Sequence, residues 1–145
     1  MAYDKAEWHY GGDFPDDLPS ERGATHIGMF LAWAINTNLI GDIHRDHSQE
    51  ALAAVRDRRQ TGREFLLSMC DETLSDEDLN DTGNAFAERY YEEEGEGSYL
   101  DDYERELAAN LPTLYHVEDS WENYDRIART ISARYGAWLE GNTDR

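Results

Sequence analysis

Apolar residues recur along most of this chain at helical spacing, and strict alternation is scarce. In residues 25–39, Ile27, Phe30, Leu31, Ala34 and Ile35 fall on one stripe and Met29 and Trp33 on a second. A helix there is apolar nearly all round and belongs at the centre of a bundle, closed by Gly41. Ser48 caps a second helix carrying Leu52 and Val55, with Arg56, Arg58 and Arg59 near its C-terminal end, where the helix dipole favours cations. Thr61 and Glu64 have capping-box spacing ahead of Phe65, Leu66 and Met69. Ser75 and Asp78 open a fourth helix in the same way, running through Leu79, Phe86 and Tyr90 until EEEGEG (92–97) breaks it. Ser98 caps a fifth with Leu100, Tyr103 and Leu107, which stops before Pro112. Ser120 caps the sixth, where Tyr124, Ile127, Ile131, Tyr135 and Trp138 share one face up to Gly141.

Residues 1–23 break this pattern. They hold all but one of the prolines and the string WHYGGDFPDDLP, and read as an extended, turn-rich segment anchored on the helices by Trp8, Tyr10, Phe14 and Leu18. The pattern predicts an all-α fold: one domain over residues 1–145, a bundle of about six helices, with segment 1–23 packed on it and a frayed tail at 141–145. Phe30, Leu31, Ile35, Ile127 and Ile131 are expected in one core, with the first and last helices at its centre.

Composition narrows the class. Four Trp and nine Tyr are far too many for a disordered chain. One cysteine, Cys70, leaves no intrachain disulfide and no zinc site made of several cysteines. The longest apolar run, residues 27–35, is far short of the about 20 residues a membrane span needs. The N-terminal MAYDKAEWHY has neither the basic nor the apolar region of a secretory signal, so the cytoplasm is the expected location.

Charge changes the picture most. With 32 Asp and Glu against 13 Lys and Arg, the net charge of −19 excludes the basic footprint of a nucleic-acid-binding protein. The excess is concentrated: residues 71–106 carry fifteen acids against Arg89 and Arg105, whereas residues 21–70 are neutral. Clustered like charge costs stability through self-repulsion, so such a stretch is either a solubilising face or a binding face for something basic.

Catalytic chemistry is harder to assemble. His44 and His47, spaced i, i+3 beside Asp42 and Asp46, read as an exposed polar loop after Gly41 without a glutamate-helix zinc signature. His26 sits on the apolar first helix and reads as a partly buried histidine; His9 and His116 fall in an aromatic seam. A calcium loop starting at Asp76 would need Gly at position six and Glu at position twelve, where Asp81 and Ala87 stand; a start at Asp71 fails likewise. Cys70, beside Asp71 and Glu72 at a helix C-terminus, is placed to stay protonated and reads as a small core residue. No catalytic, cofactor-binding or metal-ligating residue is assigned, and no cofactor is expected.

Four strings, WHYGGDFPDDLP, ATHIGMFLAWAI, DEDLNDTGNAFAERYYEE and LYHVEDSWENYDRI, resemble a family of small acidic bacterial proteins without an assigned activity, over about Tyr3 to Trp138. Such proteins are commonly encoded near secreted antibacterial toxins, and some look like their immunity proteins. The resemblance implies a non-catalytic protein that neutralises a cognate toxin and brings no catalytic residues; the acidic charge makes a basic toxin the expected partner, and the lack of an export signal makes the cytoplasm the expected place. The alternatives are an acidic nucleic-acid mimic that blocks a DNA- or RNA-binding protein and, third, a metal-dependent enzyme using His26, His44 or His47. In the first reading the partner contacts fall in the acidic stretch, on Glu88, Tyr91, Glu92, Glu93, Glu94, Glu96, Tyr99, Asp101 and Asp102, with tyrosines as anchors between carboxylates.

Overall fold

The computed structural model describes residues 2–9, 14–93 and 95–143. At its centre lies α1, Thr25–Asn36, buried on every side from Thr25 to Ile35. A helix this apolar has no face to offer water, so the remaining elements close over it. Asn38, in left-handed backbone at φ 61°, ends the turn that follows. Then come α2 (Asp42–His47), α3 (Gln49–Arg56), α4 (Gly62–Met69), α5 (Asp81–Tyr90), α6 (Tyr99–Leu107) and α7 (Trp121–Thr143). These make seven α-helices among the described residues, an all-α bundle as the apolar spacing predicts. Phe30, Leu31, Ile35, Ile127 and Ile131 do share one core.

The closest packing is between α1 and α4, where two glycines meet. A Cβ on Gly62 would lie 1.9 Å from the Gly28 carbonyl oxygen, and one on Gly28 would lie 2.3 Å from the Arg63 amide nitrogen. The N-terminus of α4 is fixed there by the Thr61–Glu64 capping box, which forms as its spacing predicts.

Four features depart from the sequence expectation. Residues 42–47 are helical rather than a loop: His44 is buried against the Phe65 ring, 5.1 Å between centroids, and tertiary packing holds a segment too short and polar to read as a helix. The Ser75–Asp78 capping box exists, but on a short 3-10 turn; α5 begins only at Asp81, capped by Asn80, whose side chain accepts from the Gly83 N–H. Segment 1–23 is not simply extended. Ala2–Lys5 forms β1, antiparallel to β2 (Thr73–Ser75), with Ala2 opposite Ser75 and Lys5 opposite Thr73, and two 3-10 turns follow. Of its expected anchors, Phe14 packs at a tilt against Tyr115 with ring centroids 5.0 Å apart, Leu18 is half-buried, Trp8 is exposed, and Tyr10 lies outside the described residues. Finally, α7 runs past Gly141 to Thr143, while Asp144 and Arg145 lie outside the described residues. This helix covers α1, α5 and α6 from one side, with Ile127 and Ile131 buried and Leu139 exposed, so α1 alone is central.

Candidate functional site

The acidic stretch and the N-terminal segment meet in an open groove of about 830 Å³. Three elements build it. β1 and the turn after it supply Asp4, Trp8 and His9; the end of α5 and the following residues supply Glu88, Tyr91, Glu92 and Glu93; α6 and its approach supply Glu96, Asp101 and Glu104. The helical spacing of α5 puts Glu88 and Glu92 on one side of the backbone and Phe86 and Tyr90 on the other, in the core.

Buried hydrogen bonds fix the floor. The Asp4 carboxylate accepts at Oδ1 from His9 Nε2 (2.8 Å), and at Oδ2 from the Tyr91 hydroxyl (2.6 Å) and His26 Nε2 (3.2 Å). A carboxylate only accepts, so both imidazoles present Nε2–H to it, and His9 Nδ1 then accepts from the Tyr115 hydroxyl at 2.6 Å. Burial alone would raise the Asp4 pKa, but the hydrogen bonds from His26 and His9 outweigh it and hold the carboxyl well below its usual range. Burial pushes His26 below its ordinary value, only partly offset by Asp4. It drives the Tyr91 hydroxyl well up, with the Asp4 charge acting in the same direction. This network ties β1 to α1, to Tyr91 at the end of α5 and to the segment after α6, and within it His26 Nδ1 is buried without a partner.

The rim is different. Glu88, Glu92, Glu93, Glu96 and Glu104 are exposed, and Asp101 is half-buried. Arg89 pairs with Glu93 at 3.5 Å and Arg105 with Asp101 at 3.7 Å. Glu88, Glu92, Glu96 and Glu104 make no ion pair among the described residues, so they keep an uncompensated field over the groove. That field reaches Tyr3, whose pKa is pushed up to about 12 by burial and then by Glu88, Glu92 and Asp76. Trp8 stands 57% exposed on the opposite wall, an unusual position for the largest apolar side chain. Such an arrangement suits a cationic side chain: carboxylates for its charge and an indole face for its stem or guanidinium.

The sequence-predicted partner residues divide accordingly. Glu88, Glu92, Glu93, Glu96 and Asp101 line the groove; Glu94 lies outside the described residues. Tyr91 reaches the floor with little more than its edge, 6% exposed. Tyr99 and Asp102 are corrected outright: both are wholly buried. Tyr99 donates to the His26 carbonyl oxygen and packs on Phe30 and Tyr91, so it cannot reach a partner as an anchor. Asp102 is bound internally by Tyr90, Arg105 and Arg134. Phe86, Tyr90 and Tyr103 are core as well. Trp8, Asp4, His9 and Glu104 were missed as site residues; for Trp8 the signal was an aromatic in the least helical, most turn-rich part of the chain.

The histidines do not form one site. His26 is fully buried in the Asp4 network, His47 is exposed, and His44 is buried elsewhere, bonded to Asp78 and near Cys70. The Cys70 thiol is held far up by burial and by Asp78, rather than by its sequence neighbours Asp71 and Glu72. No helix among the described residues is long and apolar enough to cross a membrane. A family model described as a domain of unknown function (DUF7832) matches residues 2–117, which take in the whole groove and leave α7 outside. No curated protein and no solved structure matches the chain.

Proposed function

The chain belongs to the DUF7832 family, described as a domain of unknown function, and from the groove itself we propose that it is a non-catalytic binding protein, an immunity protein that neutralises a basic antibacterial toxin in the cytoplasm by seating a basic segment of it in the acidic groove. The observation that carries this reading is the ring of unpaired carboxylates, Glu88, Glu92, Glu96 and Glu104, around a groove with an exposed Trp8 on its wall. Unpaired like charges repel one another, and a basic partner relieves that repulsion. The floor network supports the same role, because it makes the groove rigid and leaves a preorganised surface with little ordering cost on binding. A nucleic-acid mimic needs carboxylates in an extended row at phosphate spacing, whereas these enclose an indole. The three histidines of the enzyme reading, His26, His44 and His47, have separate surroundings, and none of them lines the groove.

The test is kinetic, with the product of the neighbouring gene as the analyte. Replacing Glu88, Glu92 and Glu96 together by Lys slows association and flattens its dependence on salt, since screening has less attraction left to remove. Trp8→Ala acts on the other rate: as an anchor in a desolvated contact it is worth about 2 kcal/mol, which speeds dissociation about thirtyfold. Both side sets are exposed, so neither change disturbs the fold. Association at the wild-type rate by the triple variant at low salt removes the groove from the interface.

A further inference from the structure

We propose that His44, Cys70 and Asp78 form a binding site for one borderline-soft divalent cation of the zinc class, independent of the acidic groove. The three residues come from separate elements, α2, the C-terminal end of α4 and the turn before α5, and their ligand atoms all lie within 4.8 Å of one another. They converge on one nitrogen. His44 Nε2 is 2.6 Å from Asp78 Oδ1 and 3.7 Å from Cys70 Sγ. A single Nε2–H makes one good hydrogen bond, and a second ligand-type atom aimed at the same nitrogen is the arrangement a metal ion uses.

Tetrahedral zinc, with bonds of about 2.0–2.1 Å to nitrogen and oxygen and about 2.3 Å to sulfur, spaces imidazole and thiolate donors about 3.6 Å apart and imidazole and carboxylate donors about 3.4 Å apart. The sulfur already stands at that spacing, and the carboxylate has to withdraw by about 0.8 Å as the ion replaces the proton between it and the imidazole. Each of the two buried ligands also has an outer partner that orients it. His44 Nδ1 lies 3.1 Å from the buried Ser48 hydroxyl, an acceptor for the Nδ1–H that an Nε2-bound imidazole carries. Asp78 Oδ2 accepts from the Ser75 amide at 2.7 Å, which leaves Oδ1 for the ion. Thiolate and imidazole together select zinc, cobalt or copper over magnesium and calcium. Cys70 is only half-buried, so a water can complete the coordination.

A second cluster among the described residues, Asp4, His9 and His26, shows what such a site lacks when it is only a hydrogen-bond network. A metal on His26 Nε2 moves the imidazole proton to Nδ1, which is buried with no acceptor. At His44 the corresponding proton has Ser48. Binding exchanges the thiol proton for the metal, Cys70–SH and M²⁺ giving the Cys70 thiolate complex and a proton to solvent, while the His44 imidazole proton moves from Nε2 to Nδ1. The bound ion ties α2 and α4 to the segment that leads into α5.

Cobalt(II) and zinc added to the purified, metal-stripped chain test this. Cobalt produces a thiolate-to-metal charge-transfer band in the near ultraviolet that saturates at one ion per chain, and zinc abolishes it. At zinc about a hundred times above its dissociation constant, alkylation of Cys70 slows about a hundredfold and Tm rises. Cys70→Ser and His44→Gln, each checked for retained helical circular dichroism, lose the band and the rise in Tm. Absence of the band in the wild-type chain at saturating cobalt overturns the proposal, as does unchanged alkylation of Cys70 under zinc, a readout that needs no variant. Zinc uptake of equal affinity in Cys70→Ser assigns the ion to surface carboxylates and overturns it equally.

Discussion

Gly62→Ala unfolds this protein at a temperature well below the wild type, and Gly28→Ala does the same. A Cβ at position 62 would stand 1.9 Å from the Gly28 carbonyl oxygen, and a Cβ at position 28 would stand 2.3 Å from the Arg63 amide nitrogen. Both obstacles are backbone, so no rotamer change relieves them; α1 and α4 have to move apart. Overpacking a core typically costs about 1–3 kcal/mol when side chains can give way. Here the loss is expected at the upper end or beyond, about 3 kcal/mol or more, which for a chain of this size lowers Tm by about 10 °C. α1 also contacts α3, α7 and the turn before it, so its displacement spreads through the core. Gly136→Ala supplies the control. It lies on α7 with nothing within 4 Å of an added Cβ, and replacing a helical glycine by alanine stabilises by about 0.5–1 kcal/mol. One substitution type therefore moves Tm in opposite directions at two helical glycines, read by thermal unfolding. Equal melting of Gly62→Ala and wild type would mean that the helices do not approach this closely.

Gly28 illustrates what was and was not legible in the chain. The apolar stripe that it interrupts predicted α1 and its central place, because an all-round apolar helix has one kind of environment open to it. Caps at Thr61, Ser98 and Ser120 were legible for an equally local reason: each side chain accepts from the amide three residues on. The glycine contact was not, since it needs the partner helix. The β1–β2 pair was missed for the same reason. Its strands have four and three residues, too short for a period of two to register, and lie about seventy residues apart, so the ladder is decided by the tertiary fold. In the groove, the charge excess of residues 71–106 was plain from composition. The anchor role given to Tyr99 was not correct, although the correcting signal was present: Phe86 and Tyr90, and Tyr99 and Tyr103, repeat at i, i+4, the spacing of one helix face, and that face is the core. Asp4, His9 and His26, and likewise His44, Cys70 and Asp78, are ordinary residues in sequence and become clusters only when separate elements meet.

Asp102 gives the second large effect, and one that depends on pH. Its carboxylate is wholly buried yet holds three helices together. Oδ2 accepts from the Tyr90 hydroxyl of α5 at 2.6 Å; Arg134 of α7 donates to both oxygens at 2.9 Å; Arg105, one turn along α6, adds a second cationic donor. Burial pushes its pKa up, but the bonds from Arg134 and Tyr90 outweigh burial and leave it lowered. Asp102→Asn keeps the volume, removes the charge and turns an amide donor towards a guanidinium. The expected loss at pH 7 is about 3 kcal/mol, from charge-assisted hydrogen bonds and a buried hydroxyl left poorly satisfied. A carboxyl whose folded-state pKa lies below its unfolded value, about 3.9, contributes its full stability above that value and loses it as pH falls through the folded one. The gap between wild type and Asp102→Asn, measured by urea unfolding, is therefore constant near neutrality and narrows once the pH drops below about 4. The comparison cancels the general relief of repulsion that acid brings to so acidic a chain, because both proteins share it. A gap that stays constant down to pH 3 would show that Asp102 acts through shape alone. The same pairing bears on the groove: Arg134 and Arg105 are engaged by Asp102, and Glu88, Glu92, Glu96 and Glu104 make no ion pair with either among the described residues.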